Sequence, residues 1–256
     1  MEKTKFQQVL EEKKKELEQT GATSSQTTKD REKEQRERKK RQANMIYKSM
    51  VRQFKVPKRF RGKTFDNYEV TEDNKKLYKT VKGYVDNFED RYKNGNWLML
   101  VGGFGLGKTH LALAAGIEIL KYFAKEEVKG NMNTVYSGRP KVKFVSSSEL
   151  VQSIRDSYDS DQLNELDLMN GYKNTKLLII DDLGTEKASE WQQEKMYIIL
   201  DYRYRELLPT IITTNLEVGG LQEHLSERVV ERIIEATEGG KFLLNFEGQS
   251  YRRREK

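Results

Sequence analysis

Gly102-Gly103-Phe104-Gly105-Leu106-Gly107-Lys108-Thr109 is the stretch that decides the fold of this chain. It is a complete G-x-x-x-x-G-K-[ST] loop. The apolar run Trp97-Leu98-Met99-Leu100-Val101 leads into it, and His110-Leu111-Ala112-Leu113-Ala114-Ala115 leads out with helical character. Strand, glycine loop and helix in that order form the setting in which such a loop cradles phosphate. Glycines let successive backbone N–H groups curl around an anion with no Cβ in the way, and the helix N-terminus adds partial positive charge. The expectation is a nucleoside triphosphate site running from Gly102 to His110, with Lys108 reaching the β- and γ-phosphates and the Thr109 hydroxyl on Mg²⁺. The alternative is an ordinary glycine-rich turn between a strand and a helix.

Downstream of the loop, strand-like and helix-like segments alternate. The pattern predicts strands at 97–102, 142–146, 176–181, 210–214 and 241–246. It predicts helices at 108–127, 147–158, 161–170, 189–206 and 221–236, and one at 74–92 ahead of the first strand. Continuous apolar strands separated by helices predict an α/β fold, a parallel sheet with helices on both faces.

The third strand, Leu177-Leu178-Ile179-Ile180-Asp181-Asp182, ends in a pair of acids. An acid at the carboxyl end of a strand near the glycine loop is where Mg²⁺ needs a ligand. Asp181 is the candidate for the metal, and Asp182 for orienting or deprotonating the attacking water; alternatively the acids cap the next helix. The next strand ends Thr213-Thr214-Asn215, where Asn215 either hydrogen-bonds the γ-phosphate or lytic water or simply forms a turn. Arg228 and Arg232 are spaced four apart on one helix face and are candidates for an arginine finger offered to a neighbouring subunit, or for salt bridges to Glu227 or Glu231. Arg252, just past the last strand, is a candidate phosphate contact within its own subunit.

The 256-residue chain carries a formal charge of +7, with 34% charged and only 36% hydrophobic residues. This suits one α/β domain with a solvated appendage, and the basic balance is compatible with nucleic acid without establishing it. With no cysteine and only His110 and His224, a disulfide or a Cys/His zinc site is excluded. The charged N-terminus has no signal-peptide core and no run is apolar enough to span a bilayer, so the expectation is a cytoplasmic protein.

Residues 1–56 are expected to form a helical arm and linker, and residues 57–256 the nucleotide domain. Phe6, Val9, Leu10 and Leu17 give 3–19 a thin apolar stripe at helical spacing; 20–28 (TGATSSQTT) looks like a small-polar linker; 29–42 (KDREKEQRERKKRQ) is a second charged helix; Pro57 marks the boundary. The arm is either a solvated tail or a docking helix that orders on a partner.

GGFGLGKTHLALA, LLIIDDLG, TTN, SERVVERI and GQSYR, in this order, resemble the DnaC/DnaI family of AAA+ helicase loaders over roughly residues 57–256. The resemblance implies a AAA+ P-loop NTPase fold, slow ATP hydrolysis with ATP and Mg²⁺ as cofactors, self-association, and a role in placing a replicative hexameric helicase on single-stranded DNA, with the arm as helicase-binding segment. It makes Lys108 and Thr109 the Walker A residues, Asp181 the Walker B metal acid, Asn215 sensor I, Arg232 or Arg228 the finger, and Arg252 a sensor II arginine. Tyr158, Ser189 and Trp191 match places where the family contacts single-stranded DNA, with packing of the aromatics as the alternative. Asp182 departs from the usual Glu by one methylene, which implies slow, switch-like hydrolysis. The zinc-binding N-terminal domain of some DnaI-type loaders is ruled out by the missing cysteines. Loaders of this size also occur in phages and mobile elements of Gram-positive bacteria. An IstB-type transposition helper, acting on duplex DNA and a transposase, shares nearly all these motifs, and a non-hydrolysing adaptor is a third reading. The ten residues after Phe246 leave no lid or helix-turn-helix domain, which disfavours a DnaA-type initiator.

Overall fold

Strands buried on both faces read as unbroken apolar runs, and the chain places its apolar runs accordingly. The computed structural model describes residues 5–130, 138–159, 164–184, 189–222, 224–248 and 250–251; the side chains of residues 5–10, 16–30 and 218 lie outside that description. Ahead of the sheet come α1 (Lys5–Gln53), α2 (Lys75–Asp86) and α3 (Phe88–Lys93). The alternating part then runs β1 (Leu98–Gly102), α4 (Lys108–Lys129), β2 (Val142–Ser146), α5 (Ser147–Asp156), α6 (Glu165–Lys173), β3 (Leu177–Asp181), α7 (Glu190–Arg205), β4 (Thr210–Thr214), α8 (Val218–Leu221), α9 (Glu227–Ala236) and β5 (Leu243–Phe246). All strand pairs are parallel, and the five-stranded sheet has the order β2-β3-β4-β1-β5.

The period-2 alternation of the strands divides the core between the two faces. Leu98, Leu100, Leu177, Ile179 and Ile211 pack with α2, α4 and the end of α1. Met99, Val101, Leu178, Ile180 and Ile212 pack with α5, α6, α7 and α9. Each fully buried Leu or Ile contributes about 1.5–3 kcal/mol relative to exposure. The sheet order has one consequence for the site: β4 lies between β1 and β3, so the tip of β4 separates the glycine loop from the paired acids.

Several predicted boundaries shift. The expected linker at 20–28 is helical, and 5–19 and 29–42 are parts of one 49-residue helix, α1. No proline precedes Pro57, Gly21 costs only about 1 kcal/mol, and the good helix formers on both flanks carry the helix across. The helix expected over 74–92 is interrupted at Asn87, whose side-chain amide donates to the Gly83 carbonyl at 2.9 Å as α2 ends. The helix expected over 221–236 is two helices, because Ser226 takes an extended conformation as the N-cap of α9. Residues 157–159 tighten into a 3-10 turn after α5, and α6 runs from Glu165 behind its Asn164 cap, residues 161–163 of the expected 161–170 helix lying outside the described residues.

The last turns of α1 belong to the folded body. Ile46, Met50 and Phe54 are buried in the core cluster that contains α4, and the Lys121 ammonium of α4 lies 5.9 Å from the Tyr47 ring centroid. Residues 31–41, by contrast, are exposed throughout. No helix among the described residues is long and apolar enough to cross a membrane.

Candidate nucleotide site

The glycine loop is shaped by what presses on it. Gly102 has φ +136° and a Cβ there would sit 2.2 Å from the Phe246 carbonyl oxygen, so only glycine lets β1 run this close to the end of β5. Gly107, at φ +91°, is the N-cap of α4, and a Cβ there would meet the Tyr68 ring at 2.9 Å. Both glycines are fixed by sterics, and they leave the N–H groups at the start of α4 directed at the loop.

The Lys108 side chain is almost fully buried and its ammonium donates to the carbonyls of Gly102 (2.6 Å) and Gly103 (2.7 Å) and to Asn215 Oδ1 (2.8 Å). The Asn215 amide donates in turn to Asp182 Oδ1 at 3.0 Å. The Thr109 hydroxyl donates to Asp181 Oδ1 at 2.9 Å. Lys108, Thr109, Asp181, Asp182 and Asn215, distant in sequence, thus form one hydrogen-bonded group at the carboxyl ends of β1, β3 and β4. Burial pushes the Asp181 carboxyl above its ordinary range; the Thr213 hydrogen bond pulls it down, the charge of Asp182 pushes it up, and Thr109 and Lys108 pull it down. Asp182 itself has φ +54°, a left-handed backbone that costs a non-glycine residue on the order of 1 kcal/mol or more.

The segment expected only to lead into the domain forms the opposite wall. A cavity of about 410 Å³ opens between the loop and Arg59, Phe60, Lys63 and Tyr68, with Phe104 and Tyr251 at its edge. That volume suits a ligand of nucleotide size. His110 turns away from the loop toward this wall: its Nε2 lies 2.8 Å from the Thr64 carbonyl and 3.0 Å from Asn67 Oδ1, and its ring meets Tyr68 edge-on. Burial lowers its pKa, with the Thr64 contact opposing. On the C-terminal side the Tyr251 N–H donates to the Gly105 carbonyl at 3.0 Å, and its hydroxyl reaches Asn74 and the Glu69 carbonyl. Sequence patterning offered no signal for Tyr68, which belongs to no periodic element, and Tyr251 stood out only as part of GQSYR. Arg252 lies outside the described residues.

The arginine pair divides. Arg232 forms an ion pair with Asp201 of α7 and lies 5.5 Å from the ring centroids of both Tyr197 and Tyr204. Its partner is thus a residue far away in sequence, not the neighbouring Glu227 or Glu231. Arg228 is exposed in the first turns of α9.

Tyr158 and Trp191 come together, with ring centroids 6.1 Å apart. The Arg155 guanidinium and the Lys195 ammonium lie 5.3 and 5.8 Å from the Trp191 centroid, and Lys195 pairs with Glu165 at 2.7 Å. Tyr158 is 54% exposed. Ser189 serves as the N-cap of α7, its hydroxyl accepting from the Gln192 N–H while the Gln192 side chain accepts from the Ser189 N–H.

A glycine loop, a strand-end acid and an intervening strand-end asparagine on this sheet order are the plan of an ATP-binding domain, and the comparisons agree. The family model of the IstB-like ATP binding protein matches residues 7–256. The chain belongs to this family. Within it, the chain is 28% identical to the replicative helicase loader DnaC of Buchnera aphidicola subsp. Baizongia pistaciae over 193 residues, 75% of this chain and 70% of that protein. A crystal structure of the DnaC helicase loader superposes with a TM-score of 0.59 at 28% identity, covering 75% of this chain and all of that one. AMPPCP-bound DnaA from Aquifex aeolicus superposes at 0.53 and 26% identity, covering 77% of this chain and 53% of that one. The family member described here therefore has the AAA+ P-loop NTPase fold, with its candidate site at the nucleotide-binding end of that fold. The resemblance to DnaC/DnaI-type loaders read from the motifs holds over about three quarters of the chain.

Proposed function

We propose that the chain is an ATP-controlled loader that binds a replicative hexameric helicase and delivers it to single-stranded DNA. The observation that carries this reading is the hydrogen-bonded group of Lys108, Thr109, Asp181, Asp182 and Asn215 in a chain whose similarity to DnaC loaders extends over three quarters of its length.

The residues suit ATP with Mg²⁺. The Thr109 hydroxyl and the Asp181 carboxylate are hard oxygen donors already side by side, and Mg²⁺ is commonly held by one or two carboxylates with phosphate oxygens and retained waters. When bound, the ion neutralises charge on the β- and γ-phosphates. The rest falls to the protein. Lys108, which donates to the Gly102 and Gly103 carbonyls and to Asn215, would hold the β- and γ-phosphates. Asn215, which donates to Asp182, would serve the γ-phosphate or the lytic water. Asp182 orients the attacking water, with a reach one methylene shorter than glutamate, so turnover is slow and nucleotide serves as an assembly switch. Arg228, exposed on α9, is the finger offered to the next subunit. Arg232 holds α9 to α7 through Asp201.

The helicase is gripped by the N-terminal arm, residues 1–44, ahead of the buried last turns of α1. Single-stranded DNA runs over Tyr158 and Trp191, whose rings offer stacking faces beside Arg155 and Lys195. Membership of the IstB-like family favours one second reading, a transposition helper on duplex DNA. Capture separates the two. The full chain is expected to retain the replicative helicase of the cell that encodes it, and a chain lacking residues 1–44 to lose it at least about tenfold in affinity, about 1.4 kcal/mol. Retention of duplex DNA and a transposase, with no helicase, supports the helper instead.

A further inference from the structure

Thr213 lies two residues before Asn215 on β4, and its hydroxyl touches both acids. It donates to Asp181 Oδ1 at 2.6 Å and accepts from the Asp182 backbone N–H at 3.0 Å, and its side chain is fully buried. We propose that Thr213 is a positioning residue for the metal: it fixes the rotamer of Asp181 and the left-handed backbone of Asp182 together.

The need for such a residue follows from where the β3–β4 ladder ends. The paired register runs Leu178↔Thr210, Ile179↔Ile211 and Ile180↔Ile212, and stops one residue short of Asp181. Beyond it the backbone of β3 turns through Asp182 at φ +54°. Side chains of β4 join the backbone where the regular ladder ends. Thr213 bonds Asp181 and Asp182, the Leu183 N–H donates to the Thr213 carbonyl at 2.8 Å, and the Thr214 hydroxyl donates to the Leu183 carbonyl at 2.7 Å. The tip of β3 is thereby stapled to β4 through the residues that carry the chemistry.

The geometry at Asp181 also separates Thr213 from Thr109. Both hydroxyls donate to Oδ1, and neither engages Oδ2. Thr109 belongs to the loop and would itself be a metal ligand in the proposed site. Thr213 is on the neighbouring strand β4, outside the loop, and would serve only to hold the carboxylate. Outer hydrogen bonds of this kind hold a ligand in the one orientation that binds, and their loss typically costs metal affinity while leaving the fold in place.

This inference rests on the ATP–Mg²⁺ reading of the site, and the test keeps the two apart. The measurement is the Mg²⁺ midpoint for binding a fluorescent non-hydrolysable ATP analogue, with its affinity in EDTA as the metal-free reference. Thr213→Val keeps the shape and removes the hydroxyl; its Mg²⁺ midpoint is expected to rise roughly tenfold or more, with the EDTA affinity within about twofold of wild type, a difference well under 1 kcal/mol. Thr213→Ser restores the hydroxyl and is expected to return the midpoint to within about threefold of wild type, less than 1 kcal/mol. A Val variant with an unchanged midpoint, or a Ser variant shifted as far as the Val one, overturns the proposal. Should Thr213→Val not fold, Thr213→Ala carries the same prediction with a smaller demand on packing, and Thr213→Ser still decides by its midpoint. A wild-type protein whose binding ignores Mg²⁺ overturns the ATP–Mg²⁺ reading and this inference with it.

Discussion

Lys108→Ala is expected to abolish useful nucleotide binding. The Lys108 ammonium is the only cation in the glycine loop, and it sits in a nearly buried position on the Gly102 and Gly103 carbonyls. Removing one partner of a desolvated, hydrogen-bonded charge pair costs about 2–5 kcal/mol. At 1.4 kcal/mol per factor of ten, that is on the order of 30- to 5000-fold in affinity. Titration calorimetry with a non-hydrolysable ATP analogue reads this directly. The folded protein should survive: alanine suits a helix start, and the change removes a buried cation along with its bonds. A variant that binds the analogue within about threefold of wild type, under 1 kcal/mol, would place the phosphates somewhere other than this loop.

The second large effect lies far from the nucleotide. Arg203 of α7 is completely buried. Its guanidinium donates to the carbonyls of Tyr172, Lys173 and Thr175, to the Pro209 carbonyl and to the Thr210 hydroxyl, at 2.6–3.0 Å. Tyr172 and Lys173 end α6, Thr175 enters β3, and Pro209 and Thr210 enter β4, so one side chain joins the lower ends of those elements. The carbonyls at the end of α6 also supply the negative pole of a helix to the cation. Arg203→Met keeps the aliphatic bulk and strands the acceptors without a donor. Leaving buried acceptors without a donor costs about 1–3 kcal/mol each, so with several of them stranded the expected loss is about 3–5 kcal/mol, which for a domain of this size lowers Tm by roughly 6–20 °C. Thermal unfolding of the purified variant checks it. A Tm within about 2 °C of wild type, under 1 kcal/mol, would mean that water or a rearranged α6 satisfies those carbonyls at little cost.

Arg203 also marks where sequence reading ends. Fully buried arginines are rare, and nothing in DYRYRELL separates Arg203 from Arg205, which is exposed. The parts that were legible share a cause: their chemistry is local. The glycine loop announces itself because its φ values and close backbone approaches admit only glycine, and β3 because a strand covered on both faces must be apolar until its functional end. Asp181 and Asn215 follow as strand tips. The parts that were not legible depend on chain folding back from a distance. The lead-in segment becomes the wall of the cavity through Tyr68 and His110. Arg232 is committed to Asp201 across an interhelical contact that helix spacing does not encode. The continuity of α1 was hidden by residues of modest helix propensity, which weigh less than their flanks. Thr213 looked like a strand residue because the pattern shows that it is buried and not what its hydroxyl meets.

Loading of a helicase under control of ATP is the property of the proposed loader that is most directly measured. The replicative hexamer is offered a closed circle of single-stranded DNA, which a ring enters only if opened or assembled around it, and bound helicase is counted after isolation of the circle. The account predicts helicase on the circle with the wild-type chain and ATP, and roughly tenfold less or none with Lys108→Ala or without the chain, in line with its loss of nucleotide. Equal loading with and without the chain would contradict the loader reading. Equal loading by wild type and Lys108→Ala would leave a helicase partner and remove the ATP switch.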